Sequence, residues 1–416
     1  MEKYTCLFGI IAILIVSFLI SNNRKAINYR VVGSGLVLQW ITALFILKTG
    51  IGLKIFKSLG DFITRAIEGS ARAGADFVFG VLVRQEVLAK ALGPAHAFIF
   101  FFNVMATIIL ICILVSLAYH WGIMQRIVAL IAKVVHKLMG ISGSEAMSNV
   151  ASAFVGQVEA QIMIKPYLKG MTRSELLASM SGSMACISGG VMVIYIGFGI
   201  PAEYLLAASL MAAPSALVIS KIVYPETEVS ETKGSVKLQF KKETTNTIDA
   251  ISHGCSDGLK ISLNVAVMLT GFMAVVALMN MFFSWLAPYI GLPELSLQYI
   301  LGKIFLGLAW LIGIPSKDIE TAGTLMGTKL VINEFVAYLQ LKELIVAQQL
   351  TPRTIMILSI ALCGFANFGS IGIQIGGIGE LAPERRKDLA QLGIRALICG
   401  TLASYLSAAI AGLLID

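Results

Sequence analysis

Residues 154–162 read F-V-G-Q-V-E-A-Q-I and place one acid and two amides within a stretch otherwise apolar enough for a lipid bilayer. The polar side chains are Gln157, Glu159 and Gln161. A charged side chain at the bilayer centre costs about 2.5 to 3.5 kcal/mol even on lenient insertion scales. This cost indicates that the acid has a functional role inside a membrane protein.

The composition of the chain supports a membrane location. It has 416 residues, of which 57% are hydrophobic and 13% charged, whereas charged residues make up about 25% of a typical soluble domain. The mean hydropathy is +0.84. Most apolar runs are close to the roughly 20 residues needed to cross about 30 Å of hydrocarbon. The predicted spans are 4–20, 31–47, 97–119, 205–224, 259–286, 300–314, 354–368 and 394–414.

The charge and the cysteines exclude other classes. The net charge is +8, but the 32 basic residues are scattered through short loops and helix ends, which fits membrane orientation better than binding of nucleic acid. The six cysteines form no C-x-x-C pair. They indicate neither disulfides nor a metal site.

Two segments interrupt the apolar pattern. Residues 225–247 form a charged, threonine-rich stretch that we interpret as a polar linker between two halves of the chain. Residues 121–139 have apolar residues at helical spacing with basic residues between them, which predicts an amphipathic helix at the membrane interface or packed on other helices.

The two halves share a weak internal repeat of amide and acid, then a polar turn with threonine, then a helix interrupted by small residues. The first half carries G-Q-V-E-A (156–160), M-T-R-S-E-L-L (171–177) and M-A-C-I-S-G-G (184–190). The second half carries I-N-E-F-V-A (332–337), L-T-P-R-T-I-M (350–356) and G-F-A-N-F-G-S-I-G (364–372). Paired interrupted segments are typical of secondary transporters, because a broken helix offers free backbone groups to a polar solute at membrane depth. A chance match between segments rich in glycine and alanine is the alternative.

The acids of the two repeats suggest what the site binds. An acid beside an amide suits a neutral solute with hydroxyl and amide groups. Gln157 and Asn333 or Asn367 offer a donor and an acceptor together, while Glu334 can accept from two vicinal ribose hydroxyls. Phe365 is a candidate to stack on a ring, although an aromatic in an apolar helix more often faces lipid or the core. The alternative for both Glu159 and Glu334 is an acid in a loop at the membrane surface.

An enzymatic function fits the sequence poorly. The four histidines are far apart in sequence and match no metal spacing. G-I-S-G at 140–143 matches the nucleophile turn of intramembrane serine proteases over only four letters. An intramembrane enzyme is therefore the alternative from another class, and the chain is predicted not to be an enzyme.

At these motifs the chain resembles the concentrative nucleoside transporters, in their short bacterial form. The resemblance covers the whole chain and depends on S-N-N-R-K-A-I-N-Y-R (21–30), on G-Q-V-E-A against the family's G-Q-[ST]-E-[AS], and on N-E-F-V-A-Y (333–338) with A-L-C-G-F-A-N-F-G-S-I-G (361–372). It implies import of nucleosides across the bacterial inner membrane by cation symport, with an importer of a neutral solute such as a nucleobase as the alternative.

The resemblance also implies an architecture. An all-α polytopic protein is expected, with about eight transmembrane helices, two re-entrant hairpins and an interfacial helix, working as an elevator in a homotrimer. The N-terminal helices are expected at 1–120, where about 1–50 and 95–120 belong to the scaffold and an interfacial segment lies between them. An interfacial helix, the first hairpin and a broken helix are expected at 121–224, followed by the linker at 225–247. A long scaffold helix is expected at 248–290, and the second hairpin, a second broken helix and the final helix at 291–416.

Residue by residue, the resemblance implies a substrate site drawn from both halves. Gln157 and Glu159 of the first hairpin face the nucleobase, directly or through water, and Val191 is carried over to the same site. The remaining implied residues hold the ribose or lie beside it, and these are Glu334, Phe365, Asn367 and Ser370.

The coupling cation is where the sequence departs from the family. In sodium-coupled members the ion lies between the first hairpin and the following broken helix, at positions that fall here on Ser152, Val155, Cys186 and Ile187. Cys186 replaces a hard oxygen by a soft sulfur, which a hard cation disfavours. Val158 replaces the family's hydroxyl residue, so base preference is also left open. Proton coupling through Glu159 or Glu334 and sodium coupling both remain expectations, with no other cofactor or metal.

Overall fold

The computed structural model describes residues 2–93, 99–232, 244–293 and 295–415, and the regular structure of these ranges is helical, without a strand. Residues 233–243 of the predicted linker and the beginning of the predicted span 97–119 lie outside the described residues. The all-α prediction is confirmed. The helices are α1 Glu2–Leu19, α2 Tyr29–Lys48, α3 Gly50–Phe79, α4 Gln85–Leu92, α5 Phe100–His120, α6 Ile123–Met139, α7 Gly143–Ser152, α8 Glu159–Ile162, α9 Arg173–Ala185, α10 Gly189–Gly197, α11 Ala202–Val223, α12 Thr247–Ile290, α13 Leu297–Leu311, α14 Ile319–Val331, α15 Glu334–Val346, α16 Pro352–Ala361, α17 Phe368–Leu381 and α18 Arg386–Leu414.

Several helical segments are suited to crossing a membrane. By length and composition, six in the described residues are candidates, namely Tyr29–Lys48, Phe101–His120, Arg173–Gly197, Ala202–Val223, Met273–Ile290 and Pro383–Leu414. Three shorter apolar helices, Tyr4–Leu19, Leu297–Leu311 and Pro352–Ala361, cover the remaining predicted spans. The protein is therefore polytopic.

Two helices are interrupted, one in each half. α9 begins at a capping box formed by Thr172 and Glu175, and its helix ends at Ala185 before α10 starts after Ser188. α16 begins after the cap Thr351 and ends ten residues later, although the sequence predicted one span over 354–368. The continuous span was wrong, because the chain turns at a glycine with φ of +127° before α17 begins. The predicted break by small and polar residues is present in both halves.

The segment between the second and fifth helices is more regular than expected. The sequence predicts only an interfacial segment between residues 50 and 95, whereas the structure forms the long helix α3 and the short helix α4 there. The apolar residues of α3 are spread between charged residues at helical spacing, so a search for continuous apolar runs passes over it.

The centre of the fold is a group of three closely packed helices, α9, α11 and α18. Small side chains allow this packing in the way that is common in membrane proteins. Gly400 of α18 lies so close to Met184 that a Cβ atom at this glycine would be 2.7 Å from the methionine Cβ. α12 runs along α5 at the periphery, and α13 packs on α14.

The glycine in the second break gives a test of this architecture. Gly364→Ala places a side chain at φ +127° and 2.7 Å from the Ala185 carbonyl oxygen, and we expect a loss of about 2 to 4 kcal/mol in stability from strain and clash together. Thermal unfolding in detergent measures the change. Gly372→Ala is the matched control, because a Cβ there meets nothing within 4 Å. Equal melting temperatures for the two variants would contradict the packed crossing of the breaks.

Candidate functional site

The two helix breaks lie directly against each other. The backbone N–H of Phe365, in the break after α16, donates to the carbonyl of Cys186, in the break after α9, at 3.2 Å. Gly364 packs on the carbonyls of Met184 and Ala185, where a Cβ would be 2.8 and 2.7 Å away. Residues 175 positions or more apart in sequence therefore meet at one point.

The turn between α7 and α8, which form the first helical hairpin, lies at the same point. The N–H of Gly189 donates to the carbonyl of Phe154 at 3.0 Å, which connects the hairpin turn to the first residue of α10. Ser188 caps α10 and accepts from the N–H of Val191 at 3.3 Å. The half-buried Val191 is thus in the first turn of the helix that begins at this junction.

The second helical hairpin, formed by α14 and α15, contributes a buried acid. Glu334 is the first residue of α15, directly after the cap Asn333, and it is 6% exposed. Its carboxylate accepts from the Asn367 side-chain amide at 3.0 Å and lies 3.5 Å from the hydroxyl of Tyr195. A carboxylate at a helix N-terminus with neutral donors around it retains acceptor capacity for further hydroxyl groups.

Asn367 connects this acid to α17. Its side-chain oxygen accepts from the N–H of Ser370 at 2.9 Å, so one amide caps α17 and binds Glu334. Ser370 is 1% exposed. The structure therefore brings together three of the residues that the sequence predicted for the ribose, and it places the half-buried Phe365 two residues before Asn367.

Two tyrosines beside the acid were not predicted. Tyr195 and Tyr338 are fully buried and stack with ring centroids 4.2 Å apart, and Tyr195 also contacts Phe335 at 5.8 Å. The signal in the sequence was a tyrosine within an apolar run after a break, where a buried hydroxyl requires a partner.

The predicted base-facing residues lie in the turn between α7 and α8. Gln157 is half-buried, and its buried amide oxygen has no hydrogen-bond partner in the described residues. Glu159 begins α8 and is exposed. Val158, where the family carries a hydroxyl, lies against α17, since a Cβ at Gly377 would be 2.7 Å from both of its γ carbons. An amide and an acid are thus available beside the junction.

Ser152, one of the residues predicted to bind a cation, belongs to a network of hydrogen bonds. The hydroxyl of Ser152 donates to the Ser148 carbonyl at 2.7 Å and lies 2.9 Å from the hydroxyl of Ser183. Gln161 is fully buried, and its amide donates to Ser183 at 2.8 Å and accepts from Ser179 at 2.6 Å. Gln161 stood in the opening stretch, but its role could not be assigned without the positions of these serines.

The other predicted cation ligands are buried or half-buried. Cys186 and Ile187 are fully buried, and Val155 is half-buried in the hairpin turn. Among the described residues, no group of three or more histidine, cysteine, aspartate or glutamate side chains is arranged to hold a metal ion.

Comparison with protein families decides which family this chain belongs to. The model for the N-terminus of the Na+ dependent nucleoside transporters matches residues 8–82, the nucleoside recognition Gate model matches 101–202, and the C-terminal model of the same transporters matches 204–412. The chain belongs to the concentrative nucleoside transporter family. This transporter is a multi-pass membrane protein that carries nucleosides, and it is not an enzyme.

Relatives of this transporter match over its full length. An uncharacterized transporter of Haemophilus influenzae is 41% identical over 100% of this chain and 98% of its own length. The nucleoside permease NupC of Helicobacter pylori is 37% identical over 98% of this chain and 96% of its own length. Sodium/nucleoside cotransporter 1 of Mus musculus is 37% identical over 99% of this chain and 64% of its own length.

Solved structures of a related transporter share the fold. CNTnw in an inward-facing substrate-bound state matches with a TM-score of 0.92 and 38% identity, covering 99% of this chain and 98% of CNTnw. A doubly substituted CNTnw in an outward-facing state matches with a TM-score of 0.94 and 37% identity, again over 99% and 98% of the two chains.

Proposed function

We propose that this transporter imports nucleosides into the bacterial cell by proton symport, and that it holds the ribose at the junction of the two helix breaks. The observation that carries the proposal is the contact between Glu334 and Asn367, a buried carboxylate bound to an amide that caps a half-helix. Import across the bacterial inner membrane is supported by the full-length match to the H. pylori permease NupC.

In this proposal the two ends of the nucleoside contact different halves of the chain. The ribose hydroxyls donate to the carboxylate of Glu334 and bind the amide of Asn367, with Ser370 and Phe365 beside them. The nucleobase faces the turn of the first hairpin, where the unpaired amide oxygen of Gln157 accepts from it. Glu159 and Val191 complete the base side. Because these protein groups are buried, a substrate that lacks the matching hydroxyl or amide leaves a polar atom of the protein without a partner. The site therefore selects nucleosides over analogues without those groups.

A free nucleobase fits this site less well than a nucleoside. It offers no vicinal hydroxyls, so the buried carboxylate of Glu334 would be desolvated without compensation. The arrangement therefore favours a nucleoside over the nucleobase that the sequence left as an alternative.

The hydrogen-bond network at the cation positions supports a proton as the coupling ion. The hydroxyls of Ser152 and Ser183 and the amide of Gln161 are bonded to one another or to backbone carbonyls. Cys186 adds a soft sulfur where a sodium ion requires oxygen. We propose Glu159 as the proton carrier, because it is the exposed acid of the first hairpin, whereas the carboxyl group of Glu334 already accepts from Asn367 and Tyr195.

Sodium is the second candidate, and a specific observation favours it. The matching family models describe Na+ dependent transporters, and the mouse relative is a sodium/nucleoside cotransporter. The hydroxyl of Ser152 and the backbone carbonyls of Val155 and Ile187 are oxygen atoms of the kind that sodium binds.

The movement we propose is that of an elevator within a homotrimer. The hairpins and broken helices, in 121–224 and 291–416, form the moving domain, while residues 1–50, 95–120 and 248–290 form the scaffold. Inward-facing and outward-facing states of CNTnw support such a movement. α5 and α12 pack on each other and are mostly exposed in the single chain, which supports their placement at the contact between subunits.

Replacement of the buried acid tests the ribose assignment. In Glu334→Gln, we expect the affinity for uridine and adenosine to fall about a hundredfold, because an amide oxygen replaces a carboxylate that makes charge-assisted bonds of about 1.5 to 3 kcal/mol each. Binding to purified protein and uptake into proteoliposomes measure the change. Glu343→Gln, an exposed position on the same helix, is the matched control. Near-normal affinity in Glu334→Gln would contradict the assignment.

Imposed gradients test the coupling ion. We expect nucleoside uptake into proteoliposomes in the absence of sodium, driven by an inward proton gradient and abolished by a protonophore. Stimulation by a sodium gradient alone would overturn proton coupling in favour of the second candidate.

Two variants serve as controls for this measurement. Glu159→Gln is expected to lose proton-driven accumulation but to retain exchange of internal for external nucleoside, because the solute site remains while the carrier of the proton is removed. Ser152→Asn combined with Cys186→Ser provides a longer oxygen ligand at the first position and replaces sulfur by oxygen at the second, and it is expected to introduce stimulation by sodium.

A further inference from the structure

A lysine is buried in the turn region of the second hairpin. Lys329 is in the last turn of α14 and is only 1% exposed. An ammonium group at this depth is costly unless charge and hydrogen bonds compensate for the lost water. Neither the sequence motifs nor the proposed transport function accounts for it.

The ammonium compensates for the free end of a half-helix. Lys329 Nζ donates to the carbonyl of Ala361, the last residue of α16, at 2.8 Å and lies 3.5 Å from the carbonyl of Cys363. It also lies 5.8 Å from the ring centroid of Tyr405. The C-terminus of a helix carries a partial negative charge, so a cation at this place stabilises an end that would otherwise lie open inside the membrane.

Neutral donors bind the neighbouring carbonyls of the same end. The hydroxyl of Tyr338 donates to the Ser359 carbonyl at 2.7 Å, and the hydroxyl of Ser404 donates to the Cys363 carbonyl at 2.9 Å. The end of α16 is thus held by three side chains, of which Lys329 supplies the charge.

At the corresponding break in the first half of the chain, a backbone N–H rather than a lysine binds a free carbonyl at the end of the helix. At the end of α9, the Cys186 carbonyl accepts from a backbone N–H of the other break. Lys329 is five residues before Glu334, and the residue five positions before Glu159 is Phe154. A lysine at this place is therefore a feature of the half that contains the proposed ribose site, whereas the buried lysine of the first half, Lys221, pairs with Glu145.

The break after α16 is held at both ends by the second hairpin. Lys329 binds its beginning through Ala361, and Glu334 binds its end through Asn367. The two charged residues flank a two-residue turn between α14 and α15. A positive charge meets the C-terminus of α16, while a negative charge meets the N-terminus of α17, so each complements the helix end it contacts.

We propose that Lys329 is a positioning residue for nucleoside binding. Its ammonium group fixes the conformation of the break after α16, so that the Asn367 amide and the Glu334 carboxylate are oriented toward the ribose hydroxyls. This inference rests on the ribose site proposed above.

Discrimination between nucleosides with and without ribose hydroxyls tests the proposal. The ligands are uridine and adenosine and their 2′,3′-dideoxy forms, and the protein is the full chain in proteoliposomes and in detergent. In Lys329→Met we expect the affinity for the ribonucleosides to fall at least about tenfold, with little change for the dideoxy forms. A general structural defect would instead weaken both classes alike.

Two further variants separate charge from packing. Ser404→Ala removes a neutral donor from the same helix end and is expected to keep the discrimination. In Lys329→Ala, ethylammonium is expected to restore ribonucleoside binding, whereas choline, which is too large for the vacated space, is not. Thermal unfolding and size-exclusion profiles establish that each variant is folded.

Each outcome has a defined meaning. A folded Lys329→Met with unchanged discrimination, an equal loss in Ser404→Ala, or the absence of rescue in Lys329→Ala would overturn the proposal. If Lys329→Met does not fold, Lys329→Arg takes its place, and loss of discrimination in this charge-retaining variant would overturn it. Equal affinity of the unmodified protein for ribonucleosides and dideoxynucleosides would instead overturn the ribose site itself.

Discussion

The crossing of two broken helices is the constraint on which the rest of this structure depends. A helix that stops inside a membrane leaves N–H and C=O groups without partners, and lipid supplies none. Here the N–H of Phe365 in one break donates to the carbonyl of Cys186 in the other. Ser188 and Asn367 cap α10 and α17, the helices that begin after the two breaks. The polar junction that results is enclosed by protein, and it provides a place where a hydrophilic solute can be bound at membrane depth.

The charged residues of the second hairpin follow from that constraint. Glu334 and Lys329 are both buried, and each contacts a helix end of the opposite partial charge. The Asn367 amide and the Tyr195 hydroxyl are neutral donors to this acid, which leaves it further acceptor capacity for vicinal hydroxyls. In the first hairpin, the buried polar groups satisfy one another instead, since Gln161 bonds to Ser183 and Ser179, and Ser183 bonds to Ser152.

Much of this arrangement could be predicted from the sequence, and the exceptions have physical reasons. The acid and amide motifs and the breaks after them were visible, because glycine and polar residues interrupt apolar runs at corresponding places. Asn367 contacts Glu334, and the role in ribose binding that the resemblance implies for both stays a prediction. α3 was not recognised as one long helix, since its apolar residues are spaced rather than continuous. The partners of Gln161 and Lys329 could not be predicted, because they depend on which helix ends meet in space, and the carbonyls that bind Lys329 are 32 and 34 positions away in sequence.

The most direct test of the central claim is an experimental structure of the transporter with uridine or adenosine bound. We predict that the ribose hydroxyls lie within hydrogen-bond distance of the Glu334 carboxylate and the Asn367 amide, at the point where the two breaks cross, with the base toward Gln157. A nucleoside bound elsewhere, with Glu334 still in contact with Asn367 and Tyr195 alone, would contradict the claim.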